Sequence, residues 1–309
     1  MLARADHLAS HIDAIWLHLP ESLRGQRLVD VHARAPKHWA HDDIVMVASF
    51  LDIGCTGKRR TIYVEHGAGQ QYNGNGAAAD YYHGGEHPDH VNGYIGPRPA
   101  VIESWQRPGF ATGAPVCDPY ELFATDKVAA ITFPYVPLGA RLCPEMGSAF
   151  EHYVERMADV VRALRDHGYE VLGHRHPRFN HLRNYWQRHH GIPEATVHEV
   201  RARAQLLIAD NTSLMYEMLY LGRDVIALNA PWFRRNVEHG LRFWSHAPSV
   251  QADNPDELIE LVGSINTIQN RSSDLCDLNI CDYVYGKSLS DGHDGLRAAS
   301  WVTAFVHSL

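Results

Sequence analysis

The chain has 309 residues, enough for two mid-sized domains, and its 45% apolar and 21% charged content is that of a globular protein rather than a disordered or fibrous one. A net charge of -8 argues against general nucleic-acid affinity, although Lys58-Arg59-Arg60 and Arg234-Arg235 form local basic clusters. Five scattered cysteines fit reduced thiols in a cytoplasm better than a disulfide framework, and no apolar run is long enough to span a bilayer.

In chain order, Leu8, Ile12, Ile15, Trp16 and Leu19 recur at helical spacing. Asp6, His7, His11 and Asp13 interrupt any signal-peptide core, so the chain is expected to open with an amphipathic helix. Residues 27–31, 43–48 and 61–65 are apolar, partly β-branched and bounded by breakers, as strands are. Residues 66–93 are rich in Gly, Asn, His and Tyr and form a long loop, a feature usually tied to function. A short strand near Tyr94, a helical segment around Val101 to Trp105 and the turn ATGAPVCDP follow. Next come a buried strand over 128–133 and a long helix opened by a capping box, Ser148-Ala149-Phe150-Glu151, and closed by Gly168. Strand 169–172 leads into GHRHPR, and a weaker strand is expected at 196–198.

The clearest segment is IADNTSLMYEMLYLGRDVIALN, residues 208–229. It reads as strand, polar turn, helix, glycine stop and strand. Asn254-Pro255-Asp256-Glu257 starts a further helix, and a last one is expected near Leu296 to Val306. This alternation implies an α/β protein of two doubly wound, Rossmann-type domains facing a cleft. The expected domains are 1–123 and 124–289, with helix 290–309 returning to the first.

The candidate site residues all fall just after predicted strands. Asn211, Thr212 and Ser213 offer hydroxyls and N–H groups at a helix N-terminus, which suits a phosphate or diphosphate; ordinary helix capping is the alternative. Glu217, one turn on, has the chemistry to accept hydrogen bonds from a ribose diol, or is a solvated helix residue. His176, flanked by Arg175 and Arg178, is placed to neutralise phosphate charge. His174 completes a His-x-His pattern also seen around metals, but Pro177 and the lack of matching downstream ligands argue against a metal there. His66 opens a glycine-rich loop with Gly67, and an imidazole there suits a general base or a structural bond to a loop carbonyl. His83, Glu86, His87 and His90 match zinc ligands in type, yet Gly84, Gly85 and Pro88 break any helix that would align them. An acceptor-binding or lid role is expected of that loop, with Tyr72, Tyr81 and Tyr82 available to stack. Trp232 and Phe233 line a base pocket or simply pack.

The stretch ADNTSLMYEMLYLGRDVIALN resembles the segment of CDP-glycerol glycerophosphotransferases, the teichoic-acid primase and polymerase family, that reads Thr-Asp-Tyr-Ser-Ser before an aromatic-rich helix, Leu-Gly and a strand. It is also similar to the matching segment of UDP-N-acetylglucosamine 2-epimerases; both families have the GT-B fold. His66-Gly67 stands where the transferase family has Trp-His-Gly-Thr-Pro, with Glu65, Ala68 and Gly69 replacing its other positions. His176-Pro177 matches a His-Pro motif, and Gly113, Pro115 and Asp118 match a Gly-x-Pro-x-x-Asp turn closing the first domain. Together these motifs span roughly residues 60–290. The resemblance implies a transferase that moves a glycosyl or glycerophosphate group from a nucleotide-activated donor to an acceptor hydroxyl. It casts His66 as the base, with no metal and no cofactor beyond the donor. Asn211, Thr212, Ser213, Glu217, Arg175 and Arg178 are then expected at the donor, and Gly67, Asp118, Asp210 and Tyr72 at the acceptor or cleft. The acceptor stays open among a glycan, a wall polymer, a protein and a modified nucleobase. A nucleotide-sugar epimerase or hydrolase, or a non-catalytic nucleotide-binding module, are the alternative readings.

Overall fold

The computed structural model describes residues 1–309 except 4, 31, 33, 68–89, 100, 101, 103–106, 125, 134–147, 177–182, 211, 234–249, 265–280, 282, 283 and 288. They form two compact units. Of the described residues, the first takes those up to Pro119 together with those of Cys281–Leu309, and the second takes those of Tyr120–Ile280. The expected helix at 101–105 and most of the 66–93 loop lie outside the described residues.

In the first unit, strands β3 (Val45–Val47), β4 (Thr61–Val64), β5 (Val91–Gly96) and β6 (Gly109–Ala111) form a parallel sheet in sequential order. β1 (Leu2–Ala3) and β2 (Leu28–Val29) form a separate parallel pair. Side chains alternate across a strand, so each strand feeds two cores. Met46, Ala48, Ile62, Val64 and Ile95 face helices α1 (Asp6–Trp16) and α9 (Asp294–His307), while Val45, Val47, Tyr63 and Tyr94 pack on the other side with Leu2 and Ile53, the last in the short helix α2 (Phe50–Ile53). The C-terminal segment thus belongs to the first unit. Buried Ala298, Ala299 and Val302 secure it from one side, against the apolar face of α1.

The second unit carries six parallel strands: β7 (Val128–Phe133), β8 (Glu170–Arg175), β9 (Glu194–Ala195), β10 (Leu206–Ala209), β11 (Asp224–Leu228) and β12 (Gln251–Ala252). Their order is β12-β11-β10-β7-β8-β9. The chain starts in the middle, winds outward to β9, then returns beside β7 and winds the other way. That is the doubly wound order, and it opens a crevice where the direction reverses, beyond the carboxyl ends of β7 and β10.

Two local expectations change. The long helix after β7 is split into α3 (Phe150–Tyr153), a 3-10 turn and α4 (Met157–Asp166), and its capping box does not form. Ser148 donates its hydroxyl to Asp210 and accepts the Phe150 N–H at 3.0 Å rather than that of Glu151, and the N-cap is Ala149. The strand expected at 196–198 is the start of helix α6 (Val197–Arg203). Thr196 caps it, with reciprocal bonds to Glu199, a Thr-x-x-Glu signature present in the sequence. Gly222 ends helix α7 (Leu214–Tyr220) as expected, with φ +69°.

One close approach holds the second unit's sheet to its cover. Helix α5 (Tyr185–His190) lays Trp186, 1% exposed, directly over Gly173 of β8. A Cβ at residue 173 would sit 2.1 Å from the indole. The indole N–H donates to the His174 carbonyl at 3.0 Å, so the ring has little freedom to retreat. Gly173→Ala is expected to destabilise this unit by about 1–3 kcal/mol through overpacking. Urea unfolding checks it: an unchanged midpoint would mean the contact relaxes freely.

Candidate functional site

The turn after β10 lies at the reversal point of the second sheet, where open α/β sheets bind ligands. Thr212 and Ser213 are half-buried there. Thr212 Oγ1 accepts the Leu214 N–H at 3.3 Å, a weak local cap. Ser213 occupies the N-cap of α7 yet makes no side-chain capping bond. The capping alternative therefore accounts for Thr212 better than for Ser213. Asn211 and Arg178 lie outside the described residues, as does Tyr72.

His176 follows β8, which flanks β7 on the side opposite β10, and is half-buried. With neighbouring strands about 4.8 Å apart, the β8 and β10 ends are separated by roughly 10 Å across the crevice. His176 and Thr212–Ser213 thus stand on either side of the central strand's end. Two hydroxyls and an imidazole in this arrangement suit an anionic group.

Several expected site residues have structural duties. Arg175 pairs with Glu194 on β9 at 2.9 Å and ties the edge of the sheet. His174 is buried, with Nδ1 at 2.7 Å from Thr132 Oγ1, its register partner on β7. It is a core histidine, and among the described residues no three His, Cys, Asp or Glu side chains are grouped to hold a metal ion. Asp210 is fully buried, and its Oδ2 accepts from Ser148 Oγ at 2.7 Å and from the Ala149 N–H at 2.6 Å. Its carboxylate sits at the start of α3, where negative charge is favourable, and locks that start to the turn after β10. Glu217, expected to face a ribose, is 2% exposed and bound to Arg201 of α6, with Arg201 Nη2 at 2.6 Å from Oε2. In this conformation its carboxylate faces the protein interior. Trp232 is half-buried, edge-on to His152 with ring centroids 5.9 Å apart, and Phe233 is buried.

In the first unit, His66 stands two residues beyond β4 and is half-buried, with its ring edge-on to His11 of α1 at 6.1 Å between centroids. Gly67 turns the chain there with φ +77°. Asp118, expected at the acceptor or the cleft, anchors the C-terminal helix: its Oδ2 accepts the Gly295 N–H at 2.6 Å. Burial raises its pKa, and the Gly295 bond opposes that rise. Beside it, Asp294 accepts from the Ala114 N–H at 2.9 Å, and the Asp294 carbonyl accepts from Thr112 Oγ1 at 2.6 Å. The Gly-Ala-Pro turn is thus the seat of α9.

Sequence reasoning missed Asn229, 1% exposed at the carboxyl end of β11, whose amide donates to Gln251 Oε1 at 3.0 Å and to Asp253 Oδ1. The only signal for it was a polar residue ending an apolar strand.

No family model matches the chain, and no curated relative matches it in sequence. Among the described residues, no helix is long and apolar enough to cross a membrane. Solved structures of the wall teichoic acid polymerase TagF are similar to it. One, a variant soaked with CDPG, has a TM-score of 0.53 at 12% identity, covering 86% of this chain and 72% of that one. Another variant has a TM-score of 0.53 at 13% identity, covering 81% and 69%. At such identity the likeness is one of fold: the chain has the two-unit, parallel α/β architecture of the GT-B kind.

Proposed function

We propose that the chain is a GT-B-type transferase that moves a glycosyl or glycerophosphate group from a nucleotide-activated donor to an acceptor hydroxyl. The observation that carries this reading is the position of Thr212 and Ser213 at the reversal point of a doubly wound sheet, in a fold shared with TagF. The donor diphosphate is bound by Thr212 and Ser213, with His176 across the crevice stabilising charge on the leaving group, a nucleoside monophosphate if glycerophosphate moves and a nucleoside diphosphate if a glycosyl group moves. Glu217 is not included among the donor contacts, because its carboxylate is taken up by Arg201. The acceptor hydroxyl loses its proton to His66 as its oxygen bonds to the transferred phosphorus or anomeric carbon, and the nucleotide departs with the electrons of the broken bond. These contacts need no metal ion. The CDPG-soaked TagF structure favours a CDP-linked donor among the candidates.

Thermal unfolding with CDP, UDP, GDP, ADP and TDP tests the reading. A nucleotide at one hundred times its dissociation constant adds about 2.7 kcal/mol of stability. One nucleotide is expected to raise the midpoint, and Thr212→Val with Ser213→Ala to abolish the shift. Silence across the whole panel, or a shift that survives both substitutions, would sink the proposal. Turnover of the donor with no acceptor present would instead favour an epimerase or hydrolase.

A further inference from the structure

A cavity of about 490 Å³ opens in the first unit, within the size range of small-molecule sites. Met46 of β3 and Ile62 of β4 line it from the sheet, and Trp16 and Val302 line it from the α1 and α9 helices. Trp39, Asp42 and Asp43 come from the segment that precedes β3. This is the amino end of the sheet. His66 lies at the other end of β4, four residues beyond Ile62, or about 13 Å along a strand. The cavity is therefore separate from the proposed transfer chemistry, and the inference does not rest on it.

The lining divides by chemistry. Its interior is apolar, so it favours an apolar body removed from water. The Trp39 indole is held by its N–H bond to Gln26 Oε1 at 2.6 Å. At the rim Asp42 and Asp43 are both exposed, with His38 beside them. Asp43 accepts the Ala40 N–H at 2.8 Å, which fixes the turn that carries both carboxylates. Met1 also lines the cavity; its amino group donates to the Gln26 carbonyl at 2.6 Å, and burial lowers its pKa. Two carboxylates and two indoles around an apolar floor attract a cation, by Coulombic and cation–π terms, and repel an anionic head. We propose that this cavity binds an organic ammonium, its apolar body against the partly exposed Trp16, Leu23 and Ile44 and its cationic head at Asp42 and Asp43.

Gly25 also lines the cavity, and a Cβ built there meets nothing within 4 Å. Gly25 is exposed, so a larger residue at that position stands at the mouth of the cavity, where its first carbon meets no other atom. The test uses the full chain and three probes with one skeleton: 4-phenylbutylamine, 4-phenylbutanol and 4-phenylbutyrate, each titrated by calorimetry. The amine is expected to bind at least about tenfold more tightly than the alcohol, and the carboxylate more weakly than either. Asp42→Asn should reduce the amine's advantage to under about threefold while leaving the alcohol's affinity in place. Gly25→Leu should weaken all three at an unchanged melting temperature. Carboxylate binding equal to that of the amine, amine affinity unaffected by Gly25→Leu, or no binding of any probe at millimolar concentration would each overturn the proposal.

Discussion

Glu217→Ala is expected to destabilise the second unit by roughly 3–5 kcal/mol, the usual result of stripping one partner from a buried ion pair. The side chains of Arg201 and Glu217 are 4% and 3% exposed, and Arg201 Nε also donates to Oε2 at 2.7 Å. Removing the carboxylate leaves a guanidinium that stays charged at any accessible pH, without this counter-charge and far from bulk water. Truncating an exposed pair, such as Arg203 with Glu170, should cost at most about 1 kcal/mol. Replacing both buried partners, Arg201→Met with Glu217→Leu, should recover most of the loss, since well-packed apolar residues commonly match or exceed a buried pair. Urea unfolding of the three variants decides it. A loss below about 1 kcal/mol for Glu217→Ala would show that the pair is not a fixed element of the fold, and would return Glu217 to the donor contacts.

His66→Ala is expected to lower the turnover of the proposed transfer by about 10²–10⁴, the span that a positioned general base supplies. The nucleotide-induced stabilisation should not change, because Thr212 and Ser213 belong to the other unit. That split separates a chemical role from a structural one. A turnover loss under tenfold would exclude the base role. A collapse of the melting temperature would instead show that packing against His11 is what the side chain provides.

The parts of the molecule that were readable from the chain are those set by short-range pattern. The run from Leu206 to Leu228 forms strand, turn, helix and strand because apolar runs, a polar break and a left-handed glycine stop all act within a few residues of one another. The same holds for Asn254, whose side chain caps helix α8 (Pro255–Gly263) by accepting the Glu257 N–H at 3.0 Å. Local pattern also misled. Thr196 to Glu199 looks β-branched enough for a strand, and only the reciprocal cap reveals a helix start. Ser148 and Glu151 are spaced for a capping box, but Ser148 Oγ, held by its own bond to the Asp210 carboxylate, accepts the Phe150 N–H at 3.0 Å and not that of Glu151.

By itself, the sequence determined the alternation of strands and helices, the parallel α/β class and the turn that starts the candidate donor site. Tertiary structure decided what the charged candidate residues do. Asp210 finds Ser148 62 positions away, Asp118 finds Gly295 177 positions away, and Glu217 finds Arg201 on a different helix. A buried charge must meet a partner wherever the fold brings one, and no spacing rule within a single element can supply that partner's identity.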